Sequence, residues 1–132
     1  MPRKTDSGNP LDWLAYAKTD LDAVRLLVRE QVAYPVCKSK LAEALEKGLK
    51  SDLLARGWPL EKTHDLQKLN DALVAYDESV ANLLQSLVDD LAECYIEERY
   101  PGFDLEDPDW SAAADLLAHV SEYIAKLGEK LL

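Results

Sequence analysis

Leucines and other apolar residues recur at alternating spacings of three and four along most of the chain, and this periodicity is the feature that most limits the fold. Such spacing places apolar side chains on one face of an α-helix, which has 3.6 residues per turn. One stripe consists of Cys37, Leu41, Leu45, Leu49 and Leu53. No stretch alternates apolar and polar residues as a half-buried strand does. The sequence therefore predicts an all-α fold.

Proline, glycine and capping residues divide the first half of the chain into three helices. Asn9-Pro10 predicts the start of a helix over about 11–31, because asparagine is a good N-cap and proline fits the first helical position. Pro35 opens the second helix and Gly57 ends it. Thr63 is expected to cap a short third helix that carries a leucine stripe.

Two further helices are predicted in the second half. The fourth ends before the turn Arg99-Tyr100-Pro101-Gly102, and the fifth starts at Asp107-Pro108-Asp109. The predicted core stripe of the fourth helix consists of Val80, Leu83, Leu84, Leu87, Val88 and Leu91.

These five helices predict an antiparallel, up-and-down four-helix bundle with one additional short helix. Four of them are expected to be about 20 residues long, and helices of that length joined by short connections pack most simply in this way. We expect a single domain over residues 1–132, with residues 1–9 as a flexible N-terminus. Gly48, in the interior of the second helix, predicts a close helix crossing rather than a functional glycine.

Composition limits the partners and the location. The chain has 25 acidic and 15 basic residues and a formal net charge of −10. Generic binding to DNA is disfavoured, because phosphate-backbone binding needs clustered lysine and arginine. The N-terminus lacks the apolar core of a secretory signal, and no apolar run approaches the roughly 20 residues that span a bilayer. We therefore expect a cytoplasmic protein without a membrane segment.

Metal and cofactor motifs are weak. Cys37 and Cys94 are isolated, which favours two buried, reduced thiols over a zinc or redox motif. Glu61-Lys62-Thr63-His64 has the letters of the di-iron motif Glu-x-x-His, but it precedes a helix and has no second copy around His119. We expect no metal site and no cofactor.

The polar residues around position 64 and in the second helix also have a purely structural interpretation, based on helix capping and on pairs within a helix. In residues 61–66, Thr63 would cap the helix and Asp65 would favour its dipole, leaving His64 to point outward. Lys47 and Lys50 would form surface pairs, Glu43–Lys47 and Glu46–Lys50, each worth roughly 0.2–0.5 kcal/mol.

Four blocks, taken in order and spacing, resemble a HEPN domain over nearly the whole chain. They are Trp13-Leu14 with Asp20-Leu21, Ala44-Leu45-Glu46-Lys47-Gly48-Leu49-Lys50, Lys62-Thr63-His64-Asp65-Leu66, and Arg99-Tyr100-Pro101-Gly102. The resemblance implies a helical bundle that is commonly dimeric. It also implies a prokaryotic protein of the kind often paired with a minimal nucleotidyltransferase in a toxin–antitoxin system.

Two activities are known among the proteins that the chain resembles. Many HEPN domains are metal-independent ribonucleases in which a dimer brings together two copies of an arginine that precedes a histidine by a few residues. Here residues 57–63 separate Arg56 from His64, and Gly57-Trp58-Pro59 interrupts any shared helix. Other members bind nucleotides or complete a partner's active site.

The resemblance therefore implies an interaction and nucleotide-binding module without autonomous catalysis, with Lys47, Lys50, His64 and Arg99 as candidate ligand contacts. One alternative is an atypical metal-independent ribonuclease that uses His64 and Arg99 on a nucleotide or RNA substrate. Another is a helical adaptor with a structural role only.

Overall fold

The computed structural model describes residues 7–92, 94 and 107–132, without the side chains of residues 81 and 82. These residues form five α-helices and one 3-10 turn, with no strand among them: α1 (Pro10–Glu30), α2 (Tyr34–Ala55), α3 (Leu66–Tyr76), the 3-10 turn (Glu78–Val80), α4 (Ala81–Leu91) and α5 (Trp110–Leu131). The all-α prediction is confirmed. The predictions for residues 1–6, for the end of the fourth helix and for the turn at 99–102 fall outside the described residues.

α1 begins where the sequence predicts. The Asn9 side chain accepts a hydrogen bond from the backbone N–H of Leu11 at 3.0 Å, and Pro10 occupies the first turn. The indole N–H of Trp13 donates to the Ser7 carbonyl oxygen at 2.7 Å. Residues 7–9 are thereby bonded to the first turns of α1.

A three-residue connection, Gln31 to Ala33, reverses the chain between α1 and α2. Gln31 (φ 52°) and Ala33 (φ 54°) both adopt the left-handed conformation, which is uncommon for residues other than glycine. The two helices run antiparallel and pack along most of their length. Near the far end of the pair, the Ser51 hydroxyl donates to the Pro10 carbonyl oxygen at 2.7 Å.

α5 packs against both α1 and α2. The rings of Tyr34 and Trp110 meet edge to face at the start of α2 and α5, 5.2 Å between centroids. Further along, a Cβ atom added to Gly48 would collide with Ile124 Cδ1 and lie 3.2 Å from Tyr123 Cε2. The predicted close helix crossing at Gly48 is confirmed, and α5 is the helix that crosses there.

The start of α3 differs from the prediction. Asp65, not Thr63, is the N-cap: its side chain accepts from the backbone N–H of Lys68 at 3.1 Å. The Thr63 hydroxyl oxygen instead accepts from the backbone N–H of Asp65. Both residue types are good caps, and the helix starts two residues later than expected because Asp65 lies directly before the first buried leucine, Leu66.

α4 carries most of the predicted stripe, but Leu83 was wrongly assigned to it. Leu84, Leu87, Val88 and Leu91 are buried, whereas Leu83 is 62% exposed. Within the described residues, α4 packs mainly on α3 and makes only a small contact with α5, and Leu83 lies at the edge of the stripe beside an open pocket between α4 and α5.

The core is formed by apolar side chains from all five helices, and it includes both cysteines as free thiols. Burial raises the pKa of the Cys37 thiol from 9.0 to about 11. No helix in the described part of the chain is both long enough and apolar enough to cross a membrane.

Candidate ligand-binding face around Glu46

Charged side chains are buried where α1 packs on α2. Asp20, Glu46 and Lys50 are 7%, 7% and 3% exposed. Charged groups are seldom buried without a partner, because removing them from water is costly. The partners of these three residues therefore define the local chemistry, and three of the predicted ligand contacts, Lys47, Lys50 and His64, are among those partners.

Glu46 lies at the centre of this polar face. Its Oε2 accepts from Lys50 Nζ at 3.1 Å, and its Oε1 is 3.0 Å from His64 Nδ1. A carboxylate only accepts hydrogen bonds, so this contact favours the form of His64 that carries a proton on Nδ1. The imidazole, with its side chain 65% exposed, is oriented by a carboxylate that is itself almost buried.

The predicted Glu46–Lys50 pair is present, but its predicted place on the surface is wrong: both side chains are buried, because α1 packs over them. His64 is exposed, as its position before the helix indicated, but the contact with Glu46 was missed. The two positions are 18 apart in the sequence, a separation that carries no spacing signal, and only the tertiary structure brings them together.

Lys47 differs from the prediction. Its Nζ is 2.7 Å from Asp20 Oδ2 on α1, whereas Glu43 pairs with Lys40 at 2.8 Å. The predicted Glu43–Lys47 pair is wrong because Asp20, facing α2 across the helix interface, offers a more buried carboxylate than Glu43 does. Lys47 therefore joins the same polar face as Glu46.

Two aromatic side chains of α1 face the two lysines. Lys50 Nζ is 4.9 Å from the centroid of the Trp13 ring, and Lys47 Nζ is 5.9 Å from that of Tyr16. Each lysine is thus within the range of a cation–π interaction, although the second distance is close to its limit of about 6 Å. Trp13 and Tyr16 are one turn apart on α1, as Lys47 and Lys50 are on α2.

Arg56 belongs to a different cluster at the end of α2. Its Nε donates to Asp52 Oδ1 at 3.0 Å, and its Nη2 is 3.5 Å from Asp77 Oδ2. The hydrogen bond to Asp52 raises the pKa of Arg56 further above its usual value. Tyr123 donates its hydroxyl to Asp52 Oδ2 at 2.9 Å, and burial raises the pKa of that phenol well above 10.0. Arg56 is held by two carboxylates and does not join His64.

Of the four predicted ligand contacts, three lie on one face. Lys50 and His64 both contact Glu46, Lys47 contacts Asp20 across the helix interface, and Arg99 lies outside the described residues. Trp13 and Tyr16 complete this surface, which we call the Glu46 face. In the described part of the chain no cluster of three or more His, Cys, Asp or Glu side chains is arranged to hold a metal ion.

The helical bundle and the Glu46 face define a small helical domain with a cluster of paired charged side chains on one side. The family profile described as HEPN domain matches residues 11–130, and the chain belongs to the HEPN domain family. Comparison with curated proteins returned no match, and neither did comparison with solved structures. The family supports a nucleotide- or RNA-related module.

Proposed function

We propose that this HEPN domain is an interaction module that binds a nucleotide or the phosphate of an RNA on the Glu46 face, without autonomous catalysis. The observation that carries the proposal is the contact between the buried Glu46 carboxylate and the exposed His64 ring. A histidine whose orientation is fixed loses less conformational freedom when a ligand binds than a mobile one does.

The three basic residues of the face have different parts in this proposal. His64 contacts the ligand directly with the exposed part of its ring. Lys47, whose ammonium group has three donors and uses one on Asp20, supplies a second contact to phosphate. Lys50 is too deeply buried to reach a ligand without moving, and it holds Glu46 in place.

The charge of the face limits the size of the ligand. Lys47 and Lys50 are neutralised by Asp20 and Glu46, so these two lysines give the face no excess of positive charge. The whole chain, with a net charge of −10, would repel a long polyanion. A free nucleotide or a single RNA end therefore fits better than a duplex.

The assembly is also part of the proposal. We expect a homodimer that acts as the partner of a minimal nucleotidyltransferase in a toxin–antitoxin type of system, because HEPN domains of this kind are often found so. Arg99 remains a predicted contact of the same ligand. Light scattering of the purified protein, alone and mixed with a candidate nucleotidyltransferase, would measure both associations.

The test of the site compares the two histidines. His64→Ala should weaken the binding of ATP, measured by isothermal titration calorimetry, by about 10-fold, which corresponds to roughly 1.4 kcal/mol. His119→Ala is the matched control, since it removes an exposed histidine on α5. Unchanged ATP affinity in His64→Ala, or no ATP binding by the unaltered protein, would contradict the proposal.

A metal-independent ribonuclease is the second candidate, and the Glu46–His64 contact is the observation that favours it. A histidine that donates Nδ1–H to a carboxylate is oriented as a general base is in other hydrolytic sites. The position of Arg56, held by Asp52 and Asp77, weighs against it. Incubation of the protein with mixed RNA in the presence of a metal chelator distinguishes the binding module from the ribonuclease. RNA cleavage that disappears in His64→Ala but persists in His119→Ala would establish the ribonuclease.

A further inference from the structure

Tyr16 stands on the Glu46 face with its ring largely in solvent. Its exposed fraction is 66%, compared with 47% for Tyr76. A single exposed aromatic residue is ordinary on a protein surface. What distinguishes Tyr16 is its place: it lies one turn along α1 from Trp13 and faces the lysine that the proposed function assigns to phosphate.

The two aromatic–lysine pairs on this face differ in exposure. In the inner pair, Lys50 is buried against the Trp13 ring, and the Trp13 indole N–H is used by the Ser7 carbonyl. In the outer pair, Lys47 is 24% exposed and the Tyr16 ring is open to solvent. The inner pair is closed to a ligand, and the outer pair presents an aromatic face beside a cation.

We propose that Tyr16 is the stacking platform for the base of the bound nucleotide, so that the Glu46 face selects ligands that carry a nucleobase over those that carry phosphate alone. This inference rests on the proposed function of the face. Aromatic side chains stack on every kind of base, because each base has a π-face, and a neighbouring cation strengthens the contact. Lys47 would join the two parts of the ligand, since its ammonium group lies 5.9 Å from the centroid of the Tyr16 ring and the proposed function assigns the same group to phosphate.

The ligand class follows from this arrangement. Tyr16 offers a flat apolar face without a set of hydrogen-bond donors and acceptors that would read the edge of one base. The site therefore favours a nucleotide of any base over a sugar phosphate, with little preference between adenine and other bases.

The experiment compares AMP with ribose 5-phosphate, which has the same phosphate and no base. Isothermal titration of the full chain should show tighter binding of AMP. Tyr16→Ala should weaken AMP binding by about 5- to 100-fold, the range expected for one stacked base. It should leave ribose 5-phosphate binding unchanged, and Tyr16→Phe should bind AMP as the unaltered chain does. Tyr76→Ala, which removes an exposed tyrosine on α3, is the control and should have no effect.

The outcomes separate this inference from the proposed function. Equal affinity for AMP and ribose 5-phosphate, or unchanged AMP binding in Tyr16→Ala, overturns the role of Tyr16. If His64→Ala still weakens both ligands in that case, the phosphate site stands without a base platform. If neither ligand binds the unaltered chain, the proposed function fails and the role of Tyr16 fails with it.

Discussion

Replacing Glu46 with glutamine should destabilise the domain, because the buried ammonium of Lys50 would lose its counter-charge. Glutamine has almost the volume of glutamate, so the substitution creates no cavity, and its effect reports on charge and hydrogen bonding alone. Lys50 is 3% exposed and its Nζ lies 3.1 Å from Glu46 Oε2. Removing one partner of such a buried pair typically costs about 3–5 kcal/mol.

Contacts with Trp13, with the new glutamine and with His64 modify this cost of about 3–5 kcal/mol. The Trp13 ring, 4.9 Å from Lys50 Nζ, and the remaining amide oxygen of glutamine together offset about 1–2 kcal/mol. The contact with His64 adds at most about 1 kcal/mol, because the imidazole is mostly exposed. These terms together span about 1–5 kcal/mol, and we therefore expect Glu46→Gln to lower the free energy of unfolding by about 3 kcal/mol, the centre of that range.

Urea denaturation followed by far-UV circular dichroism measures this change. With a slope of about 2 kcal/mol per molar urea, the midpoint should fall by roughly 1.5 M. Glu43→Gln is the matched control on the same helix: its partner Lys40 is more exposed, so the loss should stay below about 1 kcal/mol.

The double variant Glu46→Gln with Lys50→Met tests the reason for the loss. Methionine fills a similar space without a charge, so the double variant should be more stable than Glu46→Gln alone. The reasoning is refuted if Glu46→Gln unfolds within about 0.5 kcal/mol of the unaltered chain, the range of ordinary surface substitutions. A double variant no more stable than the single one would also refute it.

Three further predictions concern the core. Leu87→Ala should cost about 2–5 kcal/mol by urea denaturation, whereas Leu83→Ala should stay within about 0.5 kcal/mol; equal losses would contradict the orientation of α4. Gly48→Ala should lower the free energy of unfolding by about 1 kcal/mol. Overpacking against α5 costs about 1–3 kcal/mol, which exceeds the gain of about 1 kcal/mol from the higher helix propensity of alanine. A stabilised variant would mean that the side chains of α5 can move aside at little cost. In a Cys94→Ser background, the Cys37 thiol, with its pKa raised from 9.0 to about 11, should resist a thiol reagent at pH 8 until urea unfolds the chain. The free energy of unfolding should not depend on this thiol below the pKa it has in the unfolded chain. It should fall as the pH rises from that value towards 11, because the thiol then loses its proton only in the unfolded chain. Rapid labelling of the native protein would contradict the burial of Cys37.

Sequence patterns located the helices well where a local signal is unambiguous. Asn9-Pro10 starts α1 and Asp109 caps α5, because the chemistry of a helix start is contained in the few residues that form it. Thr63 and Asp65 compete to cap the same helix, and periodicity alone does not choose between two good caps two residues apart. Leu83 was misplaced because its spacing fits the stripe, while its burial depends on how closely another helix approaches.

Whether the candidate residues bind a ligand stays a prediction, whereas their positions and contacts can be compared with the structure. The resemblance selected Lys47, Lys50 and His64, and these three do lie on one face. The partner predicted for Lys47 was wrong because the i,i+4 rule considers one helix at a time, whereas Asp20 contacts Lys47 from α1. The same limit hid the Glu46–His64 contact, whose residues are joined by tertiary packing rather than by sequence spacing.

The connection from Gln31 to Ala33 determines more than the reversal of the chain. Every pairing between α1 and α2, including Lys47 with Asp20, depends on the register at which α2 leaves this turn. One residue inserted or deleted there and not absorbed by the turn would rotate α2 by about 100° about its own axis relative to α1, carrying its lysines away from the aromatic rings. Two residues in the left-handed conformation leave the turn few ways to absorb such a change. The length of this connection is therefore as much a determinant of the Glu46 face as any side chain on it, although it lies at the opposite end of the hairpin from the hydrogen bond between Ser51 and Pro10.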